Sequence, residues 1–287
     1  MKKIGKSIRG IKICNPKSIY GKNVFIILCS TNYQEEMEAE LIKAGFKDGL
    51  DFIRDDEILT KIQASSEDPY EMVKYFVYAP WCDNLEFNKC YQVVKNYSLC
   101  GIYKLFSLWS LAQECTKLSK GIFLEVGSWR GGSGCTIAQS LKAVGDCSDV
   151  FLCDTFSGVV KAGENDNLYT GGEHSDTSEE IVRSLMVKLD LANVYTLKGI
   201  FPKETKGRIG DRMIRLCHID VDVYQSAKDV FEAIWEQVLP GGLVVFDDYG
   251  SATTKGVRQY VDELSKDRDK MMIYNTNGQA IVYKHIN

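Results

Sequence analysis

Ile122-Phe123-Leu124-Glu125-Val126-Gly127-Ser128-Trp129-Arg130-Gly131-Gly132-Ser133-Gly134 sets the architecture of the chain from Ile122 onward. A short apolar run ends on a carboxylate, turns through glycines and continues into a helical pattern over 133–144. Glycine lets a backbone approach a ligand closely, and the start of a helix offers unpaired N–H groups. The spacing is not the G-x-G-x-x-G of a dinucleotide cradle, since Ser128, Trp129 and Arg130 follow Gly127. It suits an uncharged or zwitterionic group better than a pyrophosphate.

Downstream, apolar runs recur at Val150–Cys153, Val194–Leu197, Leu216–Ile219 and Leu243–Phe246. Helical patterns near 178–189, 225–238 and 255–264 separate them, which predicts a parallel sheet covered on both faces. In the third helix Ala227, Val230, Phe231, Ile234, Trp235 and Val238 fall at spacings of three and four. Pro240-Gly241-Gly242 is expected to stop that helix before the next strand, and Thr177-x-x-Glu180 to form a capping box for the second. Met271–Tyr274, Asn275-Thr276-Asn277-Gly278 and Ala280–Tyr283 read as strand, turn, strand. This α/β layout resembles the class I S-adenosylmethionine methyltransferases, whose Rossmann-like, mostly parallel seven-stranded sheet ends in an antiparallel hairpin.

Upstream, Val24–Cys29 reads as a strand, Gln34–Lys43 as a helix with apolar Met37, Leu41 and Ile42, and Phe46–Ile53 as a loop or short strand. The strand and the Tyr33-x-x-Glu36 helix resemble the second half of a small Rossmann-like sensor domain found ahead of some glycan-biosynthesis enzymes. No Gly-rich first βα turn precedes Val24, so residues 1–58 are expected to form an incomplete α/β unit. Residues 59–287 would form the methyltransferase domain, with a helical lead-in over 59–116 and the core over 117–287. The lead-in is aromatic (Tyr70, Tyr75, Phe76, Tyr78, Trp81, Tyr91, Tyr97, Tyr103, Phe106, Trp109), and packing explains most of those rings. No internal repeat or low-complexity stretch interrupts this order.

With 45% hydrophobic and 26% charged residues among 287, the chain is globular in composition. Lys plus Arg is 35 against 39 for Asp plus Glu, a net charge of -4 that argues against nucleic acid as a partner. Lys2, Lys3, Lys6, Arg9 and Lys12 read as a solvated basic tip. No apolar run approaches the roughly 20 residues of a membrane span, and no secretory signal pattern accompanies the first lysines. The 10 cysteines are scattered without a C-x-x-C pair, which suits reduced thiols in a cytoplasm, and 3 histidines are too few for a His-rich metal site.

The acids sit where chemistry is expected. Glu125, Asp154, Asp220, Asp222, Asp247 and Asp248 all end strand patterns, and ligands of open α/β sheets bind beyond those carboxyl ends. Such a cluster repels itself unless a cation joins it. Asp154 is placed to meet ribose hydroxyls or to open the next loop as an Asx-turn. Asp220, Asp247 and Asp248 on neighbouring strands supply three hard oxygen donors with no His or Cys nearby, the chemistry of Mg2+, Mn2+ or Ca2+. Asp222 reads as the cap of the next helix and His218 as a core histidine.

Glu-Val-Gly-Ser-Trp-Arg-Gly-Gly (125–132), Cys-Asp-Thr-Phe-Ser-Gly (153–158), Ile-Asp-Val-Asp-Val-Tyr-Gln-Ser (219–226) and Phe-Asp-Asp-Tyr-Gly (246–250), in this order, resemble the macrocin/mycinamicin sugar O-methyltransferases over roughly residues 95–287. The resemblance implies S-adenosylmethionine as methyl donor, Mg2+ as metal, and a sugar or polyol-like hydroxyl as acceptor. It implies Asp220, Asp247 and Asp248 as metal ligands, with Asp220 also the general base. Glu125, Gly127, Ser128, Arg130, Gly131 and Asp154, with Thr155 and Phe156 beside it, would form the cofactor pocket. Arg130 would meet the cofactor carboxylate or a sheet-edge acid.

The connection Ser157–Ser175 is long for a βα loop and is expected to act as a lid or acceptor wall, with His174 touching the acceptor or shuttling a proton. A catechol-like phenol could chelate the same metal as a sugar diol. A non-enzymatic alternative is an S-adenosylmethionine-binding scaffold, and an exposed sheet edge in the first 58 residues could mediate self-association.

Overall fold

The computed structural model describes residues 7–8, 11–12, 16–20, 24, 26–28, 34–48, 50–54 and 80–286. Two compact units divide the chain, Met1–Tyr78 and Ala79–Asn287.

In the first unit, β1 (Ser7–Ile8) pairs antiparallel with β2 (Ile11–Lys12). β3 (Ile26–Leu28), helix α1 (Gln34–Lys43) and β4 (Phe52–Arg54) come next, with β3 and β4 parallel. Leu28, Leu41, Phe46 and Phe52 form its small core, while Met37 and Ile42 are exposed. Tyr70, Tyr75, Phe76 and Tyr78 lie outside the described residues.

In the second unit, α2 (Leu85–Val94) and α3 (Ile102–Cys115) precede the sheet. Then come β5 (Ile122–Val126), α4 (Gly132–Ala143), β6 (Val150–Asp154), α5 (Glu179–Lys188), β7 (Val194–Lys198), the short α6 (Lys206–Ile209) and β8 (Ile214–Ile219). α7 (Tyr224–Ile234), β9 (Val238–Phe246), α8 (Lys255–Leu264), β10 (Lys270–Tyr274) and β11 (Ala280–Lys284) complete it. The seven strands lie in the order β10-β11-β9-β8-β5-β6-β7, parallel from β9 to β7, with β11 antiparallel to β9 and β10. The chain order reverses between β5 and β8, the position where open α/β sheets hold ligands.

Strand alternation gives each face its own core. Phe123, Leu152, Leu216 and Val245 pack with Phe87, Trp109, Leu141 and Leu185 from α2 to α5. Leu124, Cys217, Val244 and Phe246 pack with Val230, Phe231, Tyr260 and Val261 from α7 and α8. Trp81, Phe106 and Trp109 in the lead-in pack edge-on around Phe87 or each other, so these rings are core. Tyr103 stays 44% exposed.

Two local expectations are corrected. Pro240-Gly241-Gly242 lies inside β9, where the pairing with β8 shifts register between Ile214 and Leu216, and α7 ends earlier through a 3-10 turn at Trp235–Gln237. The N-cap of α5 is Ser178, which accepts from Ile181 N at 3.3 Å, because the Thr177 hydroxyl donates to the Trp129 carbonyl instead.

Candidate active site at the carboxyl edge of the sheet

Four strands end in register. Gly127 N donates to Cys153 O at 2.8 Å, Asp220 N to Val126 O at 2.9 Å, Asp247 N to Ile219 O at 3.0 Å and Gly199 N to Asp154 O at 2.9 Å. These bonds carry the ladder one residue past the strands, so the residues after β5, β7, β8 and β9 reach one edge with Asp154 at the end of β6. A cavity of about 320 Å3 opens there. Gly127, Ser128, Asp154, Thr155, Asp220, Asp222, Asp247 and Asp248 line it.

The Gly turn forms one wall. Gly127 has φ +92, and a Cβ there would fall 1.7 Å from the Asp220 carbonyl oxygen, so only glycine lets β5 pass β8 this closely. Among the described residues the buried Ser128 hydroxyl has no hydrogen-bond partner. Asp154 accepts from Trp129 N and Phe156 N, each at 2.7 Å, so it forms the Asx-turn and lines the cavity at once. Burial pushes its carboxyl upward.

Other residues expected in the cofactor pocket sit elsewhere. Arg130, Gly131 and Phe156 do not line the cavity. Arg130 pairs with a loop acid and not with a sheet-edge acid; its Nη2 lies 2.9 Å from Asp176 Oδ2, and its guanidinium stacks over the Trp129 ring. Gly131 is the left-handed N-cap of α4, and Phe156 packs against the α2–α5 core. Glu125 also stays out of the cavity. It projects onto the same face as Phe123, and its Oε1 lies 2.8 Å from His218 Nδ1. A Cβ on Gly134 would come within 2.5 Å of Glu125 Oε2, so α4 crosses the acid closely.

The other wall is acidic. His218, one strand row beyond Leu216, is fully buried and reaches Asp247 Oδ1 at 3.3 Å with Nε2. Gln279 Nε2 donates to the same oxygen at 2.9 Å, and Lys104 Nζ donates to Asp247 Oδ2 at 2.6 Å. Burial alone would raise the Asp247 carboxyl, but His218 and Lys104 outweigh it and hold it well below the usual carboxylate range. Burial alone would lower His218, but Asp247 and Glu125 raise it to about 10, leaving a buried imidazolium.

At Asp220 and Asp248 nearby positive charge does not outweigh burial. Burial, then the charge of Asp247, pushes Asp220 well upward; burial, then Asp222, does the same for Asp248. Among the described residues neither forms an ion pair with a lysine or arginine. Asp222 is not a helix cap. Val223 takes the N-cap position of α7, and Asp166 of the long loop accepts from Tyr224 N at 3.0 Å. Asp222 N donates to Asp248 Oδ2 at 3.1 Å, and its carboxylate lies 4.0 Å from His174 Nε2. Tyr169, 3.4 Å from that nitrogen, and His174 bring the loop into the cavity wall.

The expectation of an oxygen-only cluster needs correction. Cys100 Sγ lies 3.7 Å from Asp220 Oδ2, and His218 bonds Asp247. Among the described residues, the group whose ligand atoms all lie within 4.8 Å of one another is Cys100, Asp220 and Asp247; Asp248 is outside it. Cys100 and Lys104 come from the start of α3, more than a hundred residues upstream, and no sequence spacing ties them to the acids. The donor chemistry fits a hard or borderline divalent cation, since among the described residues neither the half-buried Asp220 nor the buried Asp248 forms an ion pair with a lysine or arginine.

The Macrocin-O-methyltransferase (TylF) family matches this chain over residues 94–284. An 8-demethyl-8-(2,3-dimethoxy-alpha-L-rhamnosyl)-tetracenomycin-C 4'-O-methyltransferase from Streptomyces olivaceus is 30% identical over 168 residues, covering 53% of this chain and 62% of the relative. A mycinamicin III 3''-O-methyltransferase from Micromonospora griseorubida is 30% identical over 156 residues, covering 50% and 61%. The alignments thus span less than two thirds of these relatives. The solved structure of the O-methyltransferase NovP superposes with a TM-score of 0.58 at 24% identity over 67% of this chain and 83% of that one, which establishes the shared fold. Among the described residues no helix is long and apolar enough to cross a membrane.

Proposed function

This chain belongs to the macrocin O-methyltransferase family, and from that premise we propose that it transfers a methyl group from S-adenosylmethionine to a hydroxyl of a sugar or glycosylated acceptor. The observation that carries the reading is one cavity lined both by the Gly turn and Asp154 and by the acids Asp220, Asp222, Asp247 and Asp248. Bound S-adenosylmethionine supplies the electrophilic methyl, and a bound divalent cation acidifies the acceptor hydroxyl.

The residues have separate tasks. Asp154 and Ser128 would bind the donor's polar groups, with the Gly127 backbone against them. Asp220 and Asp247 would hold the cation, with Asp248 beside Asp247 as the third acid of the resemblance although it lies outside their cluster, and Asp220 would take the hydroxyl proton on its carboxylate oxygen. Lys104, Gln279 and His218 fix both oxygens of Asp247, so this carboxylate stays ionised and oriented. Glu125 acts through His218 and not on the cofactor. His174 and Tyr169 would face the acceptor and exclude water. Ser226, Ser251 and Thr253 add hydroxyls to a lining that also holds Val160, Ile200 and Phe201, and the choice of a sugar over a phenol rests on the family.

Incubation with methyl-labelled S-adenosylmethionine and glycoside acceptors tests the reading. Transfer should stop with EDTA and return with added Mg2+. Transfer that ignores chelation would remove the cation, and label appearing on catechols but not on glycosides would move the acceptor to the phenol class.

A further inference from the structure

Cys100 stands immediately before the N-cap of α3 and Lys104 in its first turn, and both reach the acids, Cys100 at Asp220 and Lys104 at Asp247. The thiol is buried, 7% exposed, and its sulfur lies 3.7 Å from Asp220 Oδ2. Its sulfur and single oxygens of Asp220 and Asp247 lie within 4.8 Å of one another. Ligand atoms around a small divalent ion stand roughly 3 to 4 Å apart, given metal–oxygen distances near 2.1 Å and metal–sulfur near 2.3 Å. The three groups therefore need only small side-chain adjustments to share one ion.

Asp247 retains capacity for it. An ionised carboxylate offers about four acceptor positions, of which His218 and Gln279 occupy two on Oδ1 and Lys104 one on Oδ2. Asp220 has no lysine or arginine partner among the described residues, and the Lys104 ammonium and the His218 imidazolium beside the cluster face four carboxylates, Asp220, Asp222, Asp247 and Asp248, besides Glu125.

We propose that Cys100 ligates the same cation as Asp220 and Asp247, making a mixed sulfur–oxygen site that prefers borderline ions such as Zn2+ or Co2+ to Mg2+. This rests on the proposed cation site and changes its ligand set. As the metal–sulfur bond forms, the S–H bond breaks and its proton leaves to solvent, so the sulfur binds as thiolate. Soft thiolate ligands select such ions, whereas Mg2+ gains little from sulfur.

Cobalt reports the bond directly. Titrating the full-length chain with Co2+ should raise the near-ultraviolet thiolate-to-cobalt charge-transfer band with one-to-one stoichiometry. Cys100→Ser should abolish the band and weaken Co2+ binding by about ten-fold or more, while Mg2+ affinity changes far less. A double Cys82→Ser, Cys147→Ser variant, lacking two exposed thiols, should keep the band. If Cys100→Ser fails to fold, Asp220→Asn should also lose the band. Co2+ binding measured by calorimetry without a band, or a band that survives Cys100→Ser, overturns the sulfur ligand and leaves the carboxylate site standing. No calorimetric binding of any divalent ion to the wild type overturns both.

Discussion

His218 Nδ1 stands 2.8 Å from Glu125 Oε1, with both side chains fully buried on neighbouring parallel strands. The pair sits at the strand-order reversal, under the α4 crossing at Gly134, and its second nitrogen continues to Asp247. A buried imidazolium between two acids links the apolar sheet face to the cavity floor.

Removing that cation leaves buried carboxylates uncompensated, so His218→Gln should cost about 3–5 kcal/mol at neutral pH. The pair also sets a pH signature. With His218 raised from 6.5 to about 10, its contribution is complete below 6.5 and is lost as pH rises through about 10. Wild-type Tm should therefore fall across this window more steeply than that of His218→Gln. Parallel curves from calorimetry would mean His218 is neutral in the folded protein.

The strand–helix alternation and the hairpin were legible because each rests on local periodicity and turn chemistry, as at Asn277-Gly278. The edge position of Asp154, Asp220, Asp247 and Asp248 was legible for the same reason, since each closes an apolar run. The partners of those acids were not. Glu125 looks like a pocket residue until strand register sets it opposite His218. Pro240-Gly241-Gly242 reads as a helix stop because the same residues suit a strand irregularity. Cys100 and Lys104 meet the acids only through tertiary packing of α3, which no one-dimensional pattern encodes.

Gly127→Ala should uncouple the Gly turn from β8. The added methyl would sit 1.7 Å from the Asp220 carbonyl oxygen at φ +92, so backbone must move as well as strain. The conformational part alone costs of order 1–3 kcal/mol. Thermal unfolding should show at least that loss, and S-adenosylmethionine binding should weaken with it; a variant with wild-type stability would place the turn farther from Asp220.

Asp154→Ala removes an acceptor serving both Trp129 N and Phe156 N. Hydrogen bonds to a charged group contribute about 1.5–3 kcal/mol each, so the turn after β5 and the loop after β6 should both loosen. Asp154→Asn keeps one acceptor oxygen and should lose less. Calorimetric S-adenosylmethionine affinity should rank wild type, Asn, Ala, and equal affinities would exclude a donor contact at this carboxylate.

Asp220→Asn should separate chemistry from binding. The amide keeps the side chain's size beside Cys100 and Asp247 but cannot accept the acceptor's proton, a role worth roughly 10²- to 10⁴-fold in rate. Single-turnover methyl transfer should fall by that range while S-adenosylmethionine affinity stays near wild type, because the substitution changes the Asp220 side chain and leaves the Gly127 backbone and the Asp154 carboxylate as they are. His174→Gln should lower transfer less and raise the acceptor KM, since His174 reaches the cavity from the loop beside Asp222 and Tyr169. If Asp220→Asn retains wild-type turnover and His174→Gln does not, the proton goes to the histidine side of the cavity, and Asp220 is left with binding alone.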